Sequence, residues 1–223
     1  MIPWLDPDSS PYFPSTSHAL EEPAGLLAAG GRLSIDWLLL AYRHGIFPWF
    51  NHGEPILWWS PAPRTVLYPQ NFHQSKSLRK LARQGRYQIT ENCDFNAVVA
   101  ACAANRPGQQ GTWINRQMID AYCAMHLAGF VHSIECRDGA ELVGGLYGVV
   151  IGRVFFGESM FSRVANASKL CIKHLVDCGR YKLIDCQLPT DHLHSLGACE
   201  ISRSEFETGL AHWTRPFDSE TPA

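Results

Sequence analysis

Three polar side chains stand together at the end of an apolar segment, as Asp185, Cys186 and Gln187 in "KLIDCQLP". The thiol could act as a nucleophile if His192 or His194 served as its base. The alternative is that the cysteine only packs and the triplet is the polar end of a buried strand. Side chains alternate along a strand, so Asp185 and Gln187 are expected on one sheet face and Cys186 on the other. This alternation disfavours chemistry that uses all three groups together.

A second candidate acid, Glu158, follows two phenylalanines in "RVFFGESMFS". The preceding segment, "LVGGLYGVV", carries three glycines within a strand pattern, and such glycines favour a bulge or the close approach of a ligand. Glu158 and the segment that holds Asp185 and Gln187 are expected on neighbouring strands, near one cleft. The alternative is an ordinary solvated carboxylate.

Four basic residues recur at helical spacing: Lys76, Arg79, Lys80 and Arg83. No acidic residue occurs between positions 71 and 90. A solvated charged face is the usual meaning of such a stripe. Like charges at this spacing repel, however, so a polyanionic partner is a competing interpretation.

The elements that must position these residues follow a recognisable order. Residues 1–33 are rich in Pro, Gly and Ser and are predicted to be irregular, and a helix is predicted after Ser34. The next segment is proline-rich, and six aromatic residues occur from Tyr42 to Trp59. A packed small-domain core explains about half of this density, and rings exposed in a loop explain the rest. From Thr65 onward, strands and helices alternate, and a strand meander, a helix over 166–178 and the strand "YKLIDCQL" follow.

This order is that of the sheet in GNAT-type acyltransferases, which predicts an α/β (α+β) fold with a mixed sheet flanked by helices. Acetyl-CoA enzymes of this type need a glycine-rich loop at the start of the helix that follows the meander, because its N–H groups hold pyrophosphate. Here that segment is "SRVANASK", which contains no glycine. The sequence therefore favours an acyl donor other than acetyl-CoA.

Composition limits the remaining possibilities. The chain has 223 residues, of which 46% are hydrophobic and 18% charged, with a net charge of −2, so any polyanion site must be a local patch. No long apolar run or signal peptide is evident, and a cytoplasmic protein that does not bind membranes is expected. The eight cysteines include no C-x-x-C pair and are expected to be reduced. The segment "DHLH" at 191–194 is expected to be a polar loop, and neither a metal nor another cofactor is predicted.

A set of short strings resembles the leucyl/phenylalanyl-tRNA–protein transferase family: "GLLAAGGRLS", "LLLAYRHGIFPWF", "PILWWSPAPRTVL", "GTWI", "LVGGLYGV", "GESMFS", "NASK", "LIDCQ" and "SLGACEI". The resemblance runs from about residue 22 to residue 207. It implies a small N-terminal domain (1–63) and a GNAT-like catalytic domain (64–223). It also implies transfer of Leu or Phe, and Met weakly, from aminoacyl-tRNA to proteins with N-terminal Arg or Lys, which marks them for the bacterial N-degron pathway. A monomer is expected.

The resemblance assigns roles by position. Asp185, Gln187 and Glu158 fall on catalytic positions, with Gln187 accepting a hydrogen bond from the attacking amine and Asp185 polarising its amide. The remaining assignments are the aminoacyl-adenosine site, with Trp49, Trp113, Leu146, Phe155, Met160 and Ile184, and a tRNA-binding helix with Lys76, Arg79, Lys80 and Arg83.

Two departures from the family pattern stand out. Leu146 occupies a position where methionine is common, and Ala62 replaces the aspartate of "SPDPR". Two other function classes remain open from the residues alone. One is a cysteine hydrolase that uses Cys186, and the other is a non-catalytic RNA-binding module.

Overall fold

The computed structural model describes residues 2–104 and 114–215, which form two sheets and seven α-helices. The first sheet has four short strands in the order β1-β2-β4-β3. Its elements along the chain are β1 (Trp4–Leu5), β2 (Leu26–Gly30), α1 (Ile35–Arg43), β3 (Phe47–Pro48) and β4 (Leu57–Trp59). Ser34 lies at the N-cap of α1, as its sequence predicts.

The prediction that residues 1–33 are irregular was wrong in part. β2 lies inside the first sheet, parallel to β1 and antiparallel to β4, and all five of its residues are buried. A short strand that is buried on both faces carries no polar alternation, so its sequence, "LLAAG", gave no period-two signal.

The second sheet has seven strands in the order β11-β5-β10-β9-β8-β7-β6. The strands are β5 (Arg64–Leu67), β6 (Gln88–Glu91), β7 (Val131–Asp138), β8 (Glu141–Ile151), β9 (Val154–Ser162), β10 (Leu183–Gln187) and β11 (Cys199–Ile201). The helices are α2 (Lys76–Arg83), α3 (Phe95–Ala103), α4 (Arg116–Leu127), α5 (Ala167–Asp177), α6 (Asp191–Ser195) and α7 (Arg203–Trp213). β9 and β10 are parallel and joined through α5, and the other neighbouring strands are antiparallel.

Helices cover both faces of the second sheet. Buried side chains of α1, α3, α4 and α7 form one apolar cluster with one face of that sheet and with the first sheet. Side chains of α2, α5 and α6 pack on the other face. The predicted mixed α/β fold, with its order of meander, helix and strand, is confirmed.

The first sheet ends at Trp59 and the second begins at Arg64, on either side of the predicted domain boundary at 63/64, which stays a prediction. One local prediction was wrong: residues 191–194 belong to α6 and not to a loop. The Thr190 side chain accepts a hydrogen bond from the Leu193 N–H at 3.2 Å, a capping contact that stabilises this short helix. No helix within the two described ranges is long and apolar enough to span a membrane.

Candidate active site

An apolar cavity of about 140 Å³ opens where β9 and β10 stop pairing. The last paired residues of these parallel strands are Phe156 and Asp185. Gly157 and Glu158 then continue one wall of the cavity, and Cys186 and Gln187 continue the other. The separation of two parallel strands therefore creates a site between side chains of both.

The cavity brings together the four residues predicted for the donor side chain, Leu146, Phe155, Met160 and Ile184. The sequence did not identify four further apolar lining residues, which come from the helices and strand around them: Leu67, Ile172, Leu175 and Leu193. An engineered apolar protein cavity of about 150 Å³ binds benzene, so a space of this size suits an isobutyl or benzyl group.

Glu158 is a buried carboxylate at the edge of this cavity, with 8% of its surface exposed. The Tyr122 hydroxyl donates to Oε2 of Glu158 at 2.6 Å, and the Tyr42 hydroxyl lies 2.6 Å from that of Tyr122. Tyr122 has one hydroxyl proton, so Tyr42 must be the donor in the second bond. Burial raises the pKa of Glu158 to about 7, while these two hydroxyls oppose the rise.

Gln187 ends β10 in a left-handed backbone conformation, with φ of 63°. Its Nε2 donates to Oε1 of Glu158 at 3.0 Å. An ionised carboxylate only accepts hydrogen bonds, so the amide NH₂ group must face Glu158 and the amide oxygen is directed elsewhere. That oxygen can accept a hydrogen bond from an amine at the cavity edge.

Asp185 has a different environment from the one expected. Both of its oxygens accept hydrogen bonds from Arg64, from Nε at 2.8 Å and from Nη2 at 2.7 Å, and both residues are almost fully buried. Its Oδ1 also accepts the backbone N–H of Gln187 at 3.0 Å. From the sequence we expected Asp185 to polarise the Gln187 side chain, whereas its observed hydrogen bond is with the Gln187 backbone N–H.

Cys186 points away from this hydrogen-bonded network, as strand alternation predicts. Its side chain packs with Ile184 in the cluster under α5 and α6 and lines the apolar cavity. Burial, and then the charge of Asp185, raise the pKa of the Cys186 thiol to about 12. Only a thiolate is a strong nucleophile, and no histidine lies within hydrogen-bond distance of Cys186 in the described ranges. The cysteine-hydrolase hypothesis therefore has no support.

Trp49, predicted for the adenosine site, follows β3 and is 40% exposed. It contacts Trp59, with ring centroids 5.5 Å apart, and its carbonyl oxygen accepts the Trp59 indole N–H at 2.6 Å. It stands two residues beyond Phe47, whose ring centroid is 4.8 Å from the Arg64 guanidinium carbon. Trp49 does not line the apolar cavity. Trp113 lies outside the described residues.

The basic residues of α2 form a separate surface. Lys76, Arg79, Lys80 and Arg83 are all exposed, while Leu78 is buried. Among the described residues none of the four forms an ion pair, although Arg86 just beyond them pairs with Asp138. A strip of four unpaired cations is a local electropositive surface in a chain of net charge −2. No group of three metal-binding side chains occurs in residues 2–104 or 114–215.

Comparisons with known proteins place this geometry in context. Residues 66–211 match the family described as leucyl/phenylalanyl-tRNA protein transferase, and residues 31–62 match its N-terminal domain. A leucyl/phenylalanyl-tRNA–protein transferase from Pseudomonas putida W619 is 58% identical over 216 residues, 95% of each chain. The protein of the same name from Pseudomonas putida KT2440 is 58% identical over 221 residues, 97% of each chain. A third, from Pseudomonas entomophila L48, is 56% identical over 221 residues, also 97% of each chain.

Proposed function

The chain belongs to the leucyl/phenylalanyl-tRNA–protein transferase family, and we propose that its acceptors are proteins whose N-terminal residue is Arg or Lys. The enzyme transfers leucine or phenylalanine from aminoacyl-tRNA to proteins. Within this proposal, the modified proteins become substrates of the bacterial N-degron pathway, and the enzyme acts as a monomer in the cytoplasm.

The observation that carries the proposed mechanism is the Gln187–Glu158 hydrogen bond beside an apolar cavity. The leucine or phenylalanine side chain of the donor fills that cavity, which brings its ester carbonyl to the edge where Gln187 stands. The donor's terminal adenosine extends toward Trp49, and Trp113, which lies outside the described residues, stays a prediction for the same site. Fixing both ends of the donor in this way supplies the orientation that the reaction needs.

The aminoacyl ester is already activated, so the protein does not need to form a covalent intermediate. The acceptor α-amine has a pKa of about 7.7 to 8.0, and a fraction of it is neutral at pH 7. The Gln187 amide oxygen accepts a hydrogen bond from this amine and aims its lone pair at the carbonyl carbon. The C–N bond forms and the C–O bond to the tRNA ribose breaks.

One proton must leave the amine and one must reach the departing ribose oxygen. An amide is too weak a base to hold this proton. Glu158 has a pKa of about 7, close to the ideal for accepting a proton and returning it near neutral pH. We assign this exchange to Glu158, which lines the same cavity: it takes the proton from the amine nitrogen as the C–N bond forms and returns it to the ribose oxygen as the C–O bond breaks.

The charge at the cavity edge supports a cationic acceptor. Arg64 neutralises Asp185 through two hydrogen bonds. The contacts of Glu158 with Tyr122 and Gln187 carry no positive charge. When Glu158 is ionised, the site therefore has excess negative charge, which favours an acceptor that begins with Arg or Lys.

A peptide transfer assay tests the proposal along two axes. Single-turnover transfer is measured from tRNA charged with Leu, Phe, Met or Val to matched peptides beginning with Arg, Lys, Ala or acetylated Arg. Leu and Phe donors should react fastest, Met more slowly, and β-branched Val least, since cavity selection is worth about 1 to 3 kcal/mol per methylene. Acetylated Arg should be inert because it has no free α-amine.

The acceptor preference is decided by comparing peptides that begin with Arg, Lys or Ala. Rapid transfer to the Arg and Lys peptides with slow transfer to the Ala peptide supports the proposal. Equal rates with Arg and Ala would refute the acceptor assignment, and equal rates with Leu and Val would refute the cavity assignment.

A further inference from the structure

Arg64 is a buried cation that no part of the proposed reaction uses. Its guanidinium binds both oxygens of Asp185, and its carbon lies 4.8 Å from the ring centroids of Phe47 and Phe206. Arg64 is 1% exposed and Asp185 is fully buried. A buried ion pair is weak evidence for stability, because desolvation offsets much of the attraction. The presence of this buried ion pair next to Gln187 therefore needs an explanation other than stability.

We propose that Arg64 is a positioning residue, which acts through Asp185 to hold Gln187 in the backbone conformation that aims its amide at Glu158. This inference rests on the proposed function of Gln187. Asp185 is then also a positioning residue. Its negative charge binds Arg64 and does not act on the reacting atoms.

The backbone of Gln187 explains why such support is needed. Its φ of 63° lies in the left-handed region, and β10 shifts register against β5 between Asp185 and Gln187. A non-glycine residue in a sparsely populated backbone region is strained and persists only when its surroundings enforce it. Asp185 supplies that enforcement, because its Oδ1 accepts the Gln187 N–H at 3.0 Å.

Asp185 can do this only if its own carboxylate is fixed. The two parallel hydrogen bonds from Arg64 set the plane of the carboxylate, which a single point contact would not do. Phe47 of β3 and Phe206 of α7 hold the guanidinium in turn. A continuous series of contacts therefore links Phe47 and Phe206, through Arg64 and Asp185, to the backbone N–H of Gln187.

A double-mutant cycle separates positioning from direct use of the Asp185 charge. Asp185→Asn retains an oxygen for the Gln187 N–H but leaves Arg64 without a counter-charge. Arg64→Gln leaves a buried carboxylate unpaired. The double variant Arg64→Gln/Asp185→Asn replaces the ion pair by a neutral amide pair. The control cycle is Arg137→Gln/Asp94→Asn, which removes a pair with a 2.7 Å contact at the start of α3.

We expect each single change at Arg64 or Asp185 to lower kcat by about tenfold or more with a smaller effect on the donor KM, because a positioned group at the reacting centre is disturbed. The double variant should recover to within about threefold of the wild-type kcat if the acceptor oxygen, and not the charge, is what matters. Arg64→Lys tests whether the geometry of the contact matters in addition to its charge. Its kcat should also fall, because lysine keeps the positive charge but cannot form the two parallel hydrogen bonds to Asp185. The control cycle should leave kcat unchanged.

A second readout does not depend on catalysis. Hydrogen exchange of the Gln187 backbone amide, followed by NMR with labelled glutamine, should be slow in the wild type and in the double variant. It should be fast in Asp185→Ala, which lacks the acceptor oxygen.

These readouts keep the two proposals distinct. A double variant as slow as Asp185→Asn, with the Gln187 amide still protected, would overturn the inference, because the Asp185 charge would then act directly. Unchanged exchange in Asp185→Ala would also overturn it. If wild-type enzyme failed to transfer leucine to an Arg peptide, the proposed function would fall, and the exchange data would still decide whether Asp185 holds the Gln187 backbone.

Discussion

In the proposed reaction, Gln187 and Glu158 share the role of a general base. Gln187 offers an oxygen at the cavity edge but cannot hold a proton, whereas Glu158 can hold one and is buried behind it. Removal from water raises the pKa of Glu158 to about 7, and the hydroxyls of Tyr122 and Tyr42 limit that rise. The protonation state of Glu158 therefore changes within the range in which the acceptor amine also titrates.

We predict that kcat/KM for an Arg peptide rises with pH in two limbs. The lower limb, near pH 7, reports ionisation of Glu158, and the upper limb reports the peptide amine at about 7.7 to 8.0. Glu158→Gln should lose the lower limb. Tyr122→Phe should move that limb upward by about one pH unit, because it removes a hydrogen bond that favours the ionised form.

The control for Tyr122→Phe is Tyr181→Phe, because the buried Tyr181 hydroxyl has no hydrogen-bond partner among the described residues and its loss should leave both limbs of the pH profile in place.

Unfolding by urea gives an independent check of the Glu158 pKa. A raised carboxyl pKa contributes stability that is fully present below its ordinary value of 4.5 and is lost as pH rises through about 7. Relative to the Glu158→Gln variant, the free energy of unfolding of the wild type should fall by roughly 3 kcal/mol between pH 4.5 and pH 7. A lower limb that persists in Glu158→Gln would contradict the assignment.

Cys186 should be dispensable for the reaction. Its thiol pKa of about 12 leaves almost no thiolate at neutral pH, and its side chain packs on the cavity wall. We predict that Cys186→Ala keeps most of the wild-type rate of leucine transfer, and that an alkylating reagent does not abolish activity. If a folded Cys186→Ala variant bound tRNA but transferred no leucine, direct attack by the amine would have to be abandoned.

The sequence predicted the alternation that separates Cys186 from Gln187, because strand geometry is local. It did not predict Arg64 as the partner of Asp185, since the two lie 121 residues apart and meet only in the folded sheet. The Tyr122–Glu158 contact spans 36 residues and was missed for the same reason. Contacts of this kind leave no periodic pattern in the chain.

The secondary-structure elements β8, β9, β10 and α5 form most of the apolar cavity that we propose binds the donor side chain. The family pattern identified lining residues on the three strands but not Ile172 and Leu175 on α5. In the sequence those two read as ordinary core positions of an amphipathic helix, since nothing local distinguishes a residue that packs a core from one that lines a cavity. Leu146 is branched and less flexible than a methionine would be, so the cavity is expected to adapt less to donor shape than one with methionine at this position.

Helix α2 presents its four unpaired cations away from the sheet, which suits contact with tRNA phosphates. Changing Lys76, Arg79, Lys80 and Arg83 to Gln should weaken tRNA binding and lower the slope of log affinity against log salt by about 3 in total. Phosphate contacts carry no sequence information, so the effect should be similar for different tRNA bodies. The rate with a minimal aminoacyl-adenosine donor should not change.

A matched control changes four cations that are already ion-paired: Arg32, Arg116, Arg137 and Arg180. It alters net charge by the same amount but should change the salt slope far less. Equal slopes for the wild type and the α2 variant would mean that the strip is only a solvated face.

At the scale of the whole molecule, the two sheets share one continuous apolar core. The contact of Phe47 with Arg64 places the loop that carries Trp49 next to the ion pair beneath Gln187. Secondary-structure signals predicted the succession of strands and helices from β5 to β10, because most of these elements are long enough to show their period. All four strands of the smaller sheet were missed, because they have only two to five residues each.

We propose that the amine attacks the ester directly, with Gln187 holding the amine and without any covalent intermediate. The most direct measurement is single-turnover transfer of leucine from leucyl-tRNA to an Arg peptide by Gln187→Ala, with tRNA affinity and urea stability measured on the same preparation. We expect a loss of roughly 100-fold in rate, the cost of removing one positioned polar group at a reacting centre, with tRNA affinity and folding unchanged. A Gln187→Ala variant that transfers leucine at the wild-type rate would contradict it.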